Sequence, residues 1–353
     1  EFWTFRLAKR FPSLRRWFSE LEQRVLRSAT VAKQLRRLNP EMLVCTYPVM
    51  SPEPEYLLAA KDLGVRTVLH MLSWDNITAK GQFPALADTY GVWGDCMAEE
   101  LREYYDVAEE AITRLGVPHF DRHHQASRHP EPQRLQRFGL DPQRPYLFVA
   151  MSAPRYCPRE IDIVERLGAQ AAAGNFQLLV RPHPQNMVGD MADASWLPRL
   201  RALEQLDNVG LFPPKMNTDS RLLYSMARED LSEFSQLLAG AAVVLNSGST
   251  VSIDAMMCGR PVILTSFDAE EDLPYWNSAR RLIDYTHLAK FVAHGGVSVI
   301  SNYAELDAAI EAYLQQPDLN LEARQATVAH YCLAADGKAT ERAVTFYEAL
   351  LGR

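Results

Sequence analysis

Short apolar runs rich in Val, Ile and Leu alternate along this chain with stretches whose apolar residues recur every three or four positions. This alternation limits the fold more than any other feature. Repeated strand–helix–strand units are expected to build parallel sheets covered by helices. The clearest unit is residues 243–264, VVLNSGSTVSIDAMMCGRPVIL, in which an apolar strand passes through Ser247, Gly248, Ser249 and Thr250 into a helical pattern. Gly259 and Pro261 then lead into another apolar strand.

The first series reads as strands at 42–47, 66–72, 89–94 and 111–116, with helices near 54–63 and 95–105. Residues 122–145 are polar and proline-bearing, as expected of a connection with one short helix. The pattern then restarts with strands at 146–152, 176–182, 209–214 and 243–246 and helices at 159–173 and 231–241. Beyond residue 300, NYAELDAAIEAYLQQ and GKATERAVTFYEALLGR have helical apolar spacing. The expected organisation is an N-terminal domain at 1–125, a C-terminal domain at 126–335, and a helix at 336–353 packing back across domains. Four strands are fewer than the six common in a doubly wound domain, and a missing N-terminal strand or two would account for it. The chain opens on Glu1 and not Met, so its natural start is expected to be missing.

With 353 residues the chain can build two cores, and 47% hydrophobic with 23% charged residues is ordinary soluble composition. No apolar run approaches the ~20 residues that span a bilayer, and the start lacks the features of a secretory signal. Five cysteines, at 45, 96, 157, 258 and 332, are widely spaced and form no CxxC pair or Cys/His cluster. They are expected to be buried thiols in a reducing cytoplasm, with no disulfide framework and no metal site.

Charge is unevenly distributed. Residues 1–38 hold ten of the 37 Lys/Arg and three of the 44 Asp/Glu, leaving 27 basic and 41 acidic residues for the rest. Phe2, Trp3, Phe5, Phe11, Trp17 and Phe18 are interleaved with those cations, which suits the anionic inner face of a cell membrane. A helix packing its aromatics on its own domain is the plainer alternative. Nucleic acid is not expected as a partner, because the body is acidic and no recognition motif occurs.

Three strand-end loops of the second series carry phosphate-compatible chemistry. A helix beginning at Ser249 or Thr250 exposes backbone N–H groups and a positive dipole end, beside Gly248 and the hydroxyls of Ser247, Ser249 and Thr250. Ordinary helix capping uses the same residue types. LLVRPHPQN, 178–186, delivers Arg181 and His183 to a strand end, with Pro182 and Pro184 stiffening the loop. A protonated His183 or Arg181 would neutralise charge on a departing phosphate. SAPRYCPRE, 152–160, adds the small Ser152 and Ala153 with Arg155 and Arg159. In the first series, LSWDNITAKGQFP at 72–84 places Trp74, Asp75, Asn76 and Lys80 after a strand. Asp75 there is a candidate general base for a substrate hydroxyl, and an Asx-turn with Trp74 in the core is the alternative. His119, in LGVPHFDRH, is a candidate cleft or hinge residue.

These residues together resemble bacterial surface-polysaccharide (capsule or O-antigen) glycosyltransferases of GT-B architecture, and the related CDP-glycerol glycerophosphotransferases. The likeness rests on SWDN…KG and VWGDCMAEEL…ITRLGVPHFD in the first half. MSAPRY, RPHP, NSGSTVSIDAMMCGRPVI and DGKATERA carry it in the second. It implies an α/β fold of two Rossmann-like domains with parallel sheets facing across a cleft. The C-terminal domain would bind a nucleotide-sugar donor and the N-terminal one a glycan or lipid-linked acceptor, without a metal or other cofactor. By motif, His183 and Arg181 would lie beside the donor, and Ser247, Gly248, Ser249 and Thr250 would hold its phosphate. Asp254 would face the ribose or brace the loop. The leading expectation is glycosyl transfer, with Asp75 and His183 as catalytic residues. Ser152 would help hold the donor, and Trp74, Asn76, Lys80 and His119 would line the acceptor side. The alternatives are CDP-polyol phosphotransfer, sugar-nucleotide epimerisation, or a non-catalytic membrane-associated partner.

Overall fold

The computed structural model describes residues 12–187, 193, 195–217 and 226–352. The expectation for Phe2, Trp3, Phe5 and Phe11 lies outside these residues. The chain divides into two compact units, Glu1–Pro118 with Tyr331–Leu333 and Lys338–Arg353, and His119–His330 with Ala334–Gly337.

The first unit holds four parallel strands in the order β1 (Met42–Cys45), β2 (Arg66–His70), β3 (Thr89–Val92) and β4 (Ile112–Arg114). Each of these strands ends two residues earlier than the sequence pattern suggests. Helix Ala29–Leu38 starts where the Ser28 hydroxyl accepts the Val31 amide at 3.3 Å, and it ends at Asn39 in the left-handed region. Its Leu35 packs with Ala59 and Ala60 of helix Glu53–Asp62. Ala343 and Phe346 of helix Ala339–Leu350 pack on Val68 and Leu115, so the C-terminal helix completes the core of this unit. Gly91 permits that packing: a Cβ there would stand 2.7 Å from Leu115 Cδ1.

The second unit holds six parallel strands, β5 (Tyr146–Ala150), β6 (Gln177–Arg181), β7 (Val209–Leu211), β8 (Val243–Asn246), β9 (Val262–Thr265) and β10 (Ser298–Ile300). Their order is β10-β9-β8-β5-β6-β7, so the direction of winding reverses between β5 and β8. Every residue of β5, β6, β8 and β9 is buried, as a sheet covered on both faces requires. Ile161, Val164 and Leu167 of helix Glu160–Ala172 pack over this sheet, each worth about 1.5–3 kcal/mol by burial.

The division falls at Pro118/His119 and not within 122–145. The short helix Asp121–His124 belongs to the second unit because the His123 imidazole is buried there, its Nε2 2.7 Å from Asp254 Oδ1.

Candidate functional site: the carboxyl edge of the six-stranded sheet

In an open parallel sheet, ligands bind beyond the carboxyl ends of the strands where the winding reverses. Here that place lies between β5 and β8, and a carboxylate occupies it. Glu160, the first residue of its helix and 5% exposed, accepts the Ser152 amide at 2.6 Å and the Ser247 hydroxyl at 2.7 Å. Ser247 Oγ is also 2.9 Å from the Thr265 hydroxyl, so the ends of β5, β8 and β9 share one buried network. Burial pushes the Glu160 carboxyl up to about 7, against the opposing pull of its two hydrogen bonds. Cys157 lies in the same cluster, and burial raises its thiol well above the usual range. All five cysteines are buried, and none is in a disulfide.

The loop after β8 is organised by a side chain that the sequence reading passed over. Asn246 Oδ1 accepts the amides of both Gly248 and Ser249 at 2.9 Å, and its Nδ2 donates to Ser252 Oγ at 3.0 Å. Those two amides therefore serve an internal acceptor, as do the Ser152 amide and the Ser247 hydroxyl. This corrects the expectation of bare amides over 247–250 at two positions, Gly248 and Ser249: a short polar side chain at the end of the strand satisfies them locally. Gly248, at φ +98°, is required by the turn. Thr250 stands at the N-cap of helix Val251–Met257. Asp254 Oδ1 lies 2.7 Å from His123 Nε2.

At the end of β6 the two candidates separate. Arg181 is buried; Nη1 donates to Asp230 Oδ1 at 3.1 Å, Nη2 donates to Oδ2, and the guanidinium lies 4.2 Å from the centre of the Phe212 ring. Its charge is already matched, and it is corrected from a phosphate ligand to a structural pair. His183, one residue past Pro182, is half-buried. Its Nδ1 accepts the Gln185 amide at 3.1 Å, which places the ring proton on Nε2 as a donor. Burial lowers its proton affinity, so the imidazole is neutral at neutral pH and not the cation that the sequence suggested.

The cation that fits this edge came from elsewhere. Arg281, in the segment after β9, is 7% exposed, and its Nη1 donates to the Ser278 carbonyl at 2.7 Å. Its Nη2 lies 3.4 Å from the Arg155 carbonyl in the loop after β5, and no carboxylate pairs with it among the described residues. The only hint in the sequence was a pair of arginines after a proline-bearing loop. Asn186, beside His183 and fully buried, has neither amide atom hydrogen-bonded among the described residues.

In the first unit the loop after β2 folds inward. Trp74 is 4% exposed and lies edge-on to Tyr331 at 5.5 Å, which makes it a core residue and not an acceptor platform. Asn76 is buried as well. Asp75 is half-buried in that turn, its Oδ2 3.0 Å from Lys80 Nζ, and the Ala79 amide donates to its backbone carbonyl at 2.9 Å. His119 belongs to the second unit and is exposed. Among the described residues no group of three His, Cys, Asp or Glu is placed to hold a metal ion. No described helix is long and apolar enough to cross a membrane.

No protein-family profile matches the chain, and no curated protein matches it in sequence. Solved structures do match in fold. S. aureus MnaA, determined with UDP, gives a TM-score of 0.58 at 13% identity, over 95% of this chain and 79% of that one. The Neisseria meningitidis UDP-GlcNAc 2-epimerase bound to UDP-GlcNAc gives 0.58 at 13%, over 92% and 80%. The wall teichoic acid polymerase TagF, soaked with CDPG, gives 0.50 at 12%, over 88% and 73%. The fold is thus α/β of the GT-B type, built from two parallel-sheet units.

Proposed function

We propose that the protein is an enzyme acting on a nucleotide-activated sugar, whose diphosphate binds at the carboxyl edge of the six-stranded sheet. The reading rests chiefly on one observation: His183, just past β6, and Arg281, which reaches the loop after β5, have no carboxylate partner among the described residues. The backbone supplies less than a bare helix end would, since Asn246 and Glu160 hold four of the donors nearest the switch point. Ser249 and Thr250 hydroxyls would complete the phosphate contacts. A diphosphate arriving beside neutral His183 would raise its proton affinity, and the imidazole would then stabilise charge on the leaving nucleotide. No metal is needed in this scheme.

Transfer to a glycan or lipid-linked acceptor is the leading reaction, with Asp75 taking the proton of the acceptor hydroxyl. Epimerisation of the sugar is a second reading, favoured by fold: the two structures solved with UDP or UDP-GlcNAc score 0.58, above TagF at 0.50. Movement of a polyol phosphate from a CDP-linked donor is the third. Thermal unfolding with UDP, CDP, GDP and dTDP identifies the base, because a ligand bound only by the native state raises the midpoint. Nucleotide sugar incubated without acceptor then separates the reactions: a changed sugar still bearing its nucleotide means epimerisation. Turnover only on adding acceptor means transfer. No midpoint shift with any nucleotide would contradict the proposal.

A further inference from the structure

Helix Pro12–Leu26 of the first unit exposes an apolar stripe that the proposed chemistry leaves unused. Trp17 is 55% exposed, Phe18 42%, Leu21 43% and Val25 77%. At about 100° per residue, these four fall within roughly 100° of one another around the helix axis. The other side of the helix is attached to its own unit: Gln23 Nε2 donates to the Pro84 carbonyl at 2.8 Å, and Arg27 pairs with Asp62 at 2.8 Å. A helix so placed would ordinarily turn its polar residues outward. This one turns out an indole, a phenyl ring and two aliphatic side chains.

The charge around the stripe narrows its occupant. Residues 12–38 carry seven Lys/Arg against Glu20 and Glu22. Exposed Arg24, Lys33, Arg36 and Arg37 make no ion pair among the described residues, and Leu38 at the end of helix Ala29–Leu38 is 62% exposed. A second copy of the chain would bring the same basic patch against itself, as a two-fold interface must, and the charges would oppose it. Rings and aliphatic groups on one face of a helix, with exposed Arg24 on that helix and Lys33, Arg36 and Arg37 on the next, suit the boundary between lipid headgroups and acyl chains. We propose that this face lies on an anionic lipid bilayer, with Trp17, Phe18, Leu21 and Val25 inserted at headgroup depth and the nearby Lys and Arg residues on acidic headgroups.

The full chain is to be sedimented with phosphatidylcholine vesicles and with equal-part phosphatidylcholine–phosphatidylglycerol vesicles. Binding is expected to the second only, and to weaken with added salt. Trp17→Ala with Leu21→Ala is expected to lower partitioning about tenfold or more while leaving the unfolding midpoint unchanged. Lys33→Gln with Arg36→Gln and Arg37→Gln is expected to remove most of the salt dependence. Wild-type protein that stays in the supernatant with anionic vesicles overturns the proposal. So does wild-type-like partitioning of the apolar variant, or a fall in its unfolding midpoint, which would mean that the face is packed within the protein. A dimer in light scattering that the apolar variant reduces to monomer would assign the face to a second copy and equally overturn it.

Discussion

The two sheets of this protein finish their strands in opposite ways. After β2 the chain turns its bulk inward, burying Trp74 and Asn76 and leaving Asp75 and Lys80 paired across a tight turn. After β5, β6 and β8 it turns polar groups inward instead, and these satisfy one another: Glu160 with Ser152 and Ser247, Asn246 with two amides, Arg181 with Asp230. One edge leaves Asp75 half-buried and ion-paired with Lys80. The other leaves an imidazole and a guanidinium. Buried polar groups require partners, and whatever remains unpartnered after that requirement is met is where a ligand has room to act.

The contrast can be broken at its two extremes. If Asp75 is the group held out for chemistry, Asp75→Asn lowers turnover about 10²–10⁴-fold with nucleotide affinity unchanged. Steady-state kinetics beside calorimetric titration checks both halves, and normal turnover removes Asp75 from the mechanism. Arg181 should behave in the opposite sense. Arg181→Ala strands the buried Asp230 carboxylate and is expected to cost about 3–5 kcal/mol in urea unfolding. Arg181→Met with Asp230→Leu should recover much of that loss. A stable Arg181→Ala protein with lost nucleotide binding would restore the residue to the site.

Glu160 sharpens the comparison through pH. Its folded carboxyl holds a proton up to about pH 7, whereas the unfolded one releases it near 4.5, so the folded state binds more protons in that window. Its contribution is full below about 4.5 and declines as pH rises towards 7, by on the order of 3 kcal/mol. Glu160→Gln should flatten this decline in unfolding curves taken across that range, with the Ser247 hydroxyl turning to accept from the new amide. Parallel curves for the two proteins would mean that Glu160 titrates normally and that the network is wetter than its burial implies.

Much of the fold was legible because strand signals are local. Apolar runs such as YLFVA and VVLN are short, continuous and flanked by turn residues, and they became β5 and β8. β10, only Ser298–Ile300, is too short to stand out. Helix Leu321–Cys332 hid for a different reason. It buries Arg324 and Thr327, with Arg324 Nη1 donating to the Gly259 carbonyl at 2.9 Å, so its inner face does not read as apolar. The site was legible as loops but not as partners. RPHP and NSGST mark the ends of β6 and β8. Nothing near residue 181 announces that Asp230, 49 positions away, will take the arginine, or that Glu160 will reach Ser247 across 87. Local motifs report which groups arrive at an edge. Long-range packing decides which of them stay available.

The central claim is that a nucleotide's diphosphate meets His183 at the carboxyl edge of the six-stranded sheet. A crystal structure of the complex with whichever nucleoside diphosphate raises the unfolding midpoint tests it most directly. The expected result is a phosphate oxygen about 3 Å from His183 Nε2, with the Arg281 guanidinium facing the same group. A diphosphate seated away from β5, β6 and β8, with both side chains untouched, would contradict it.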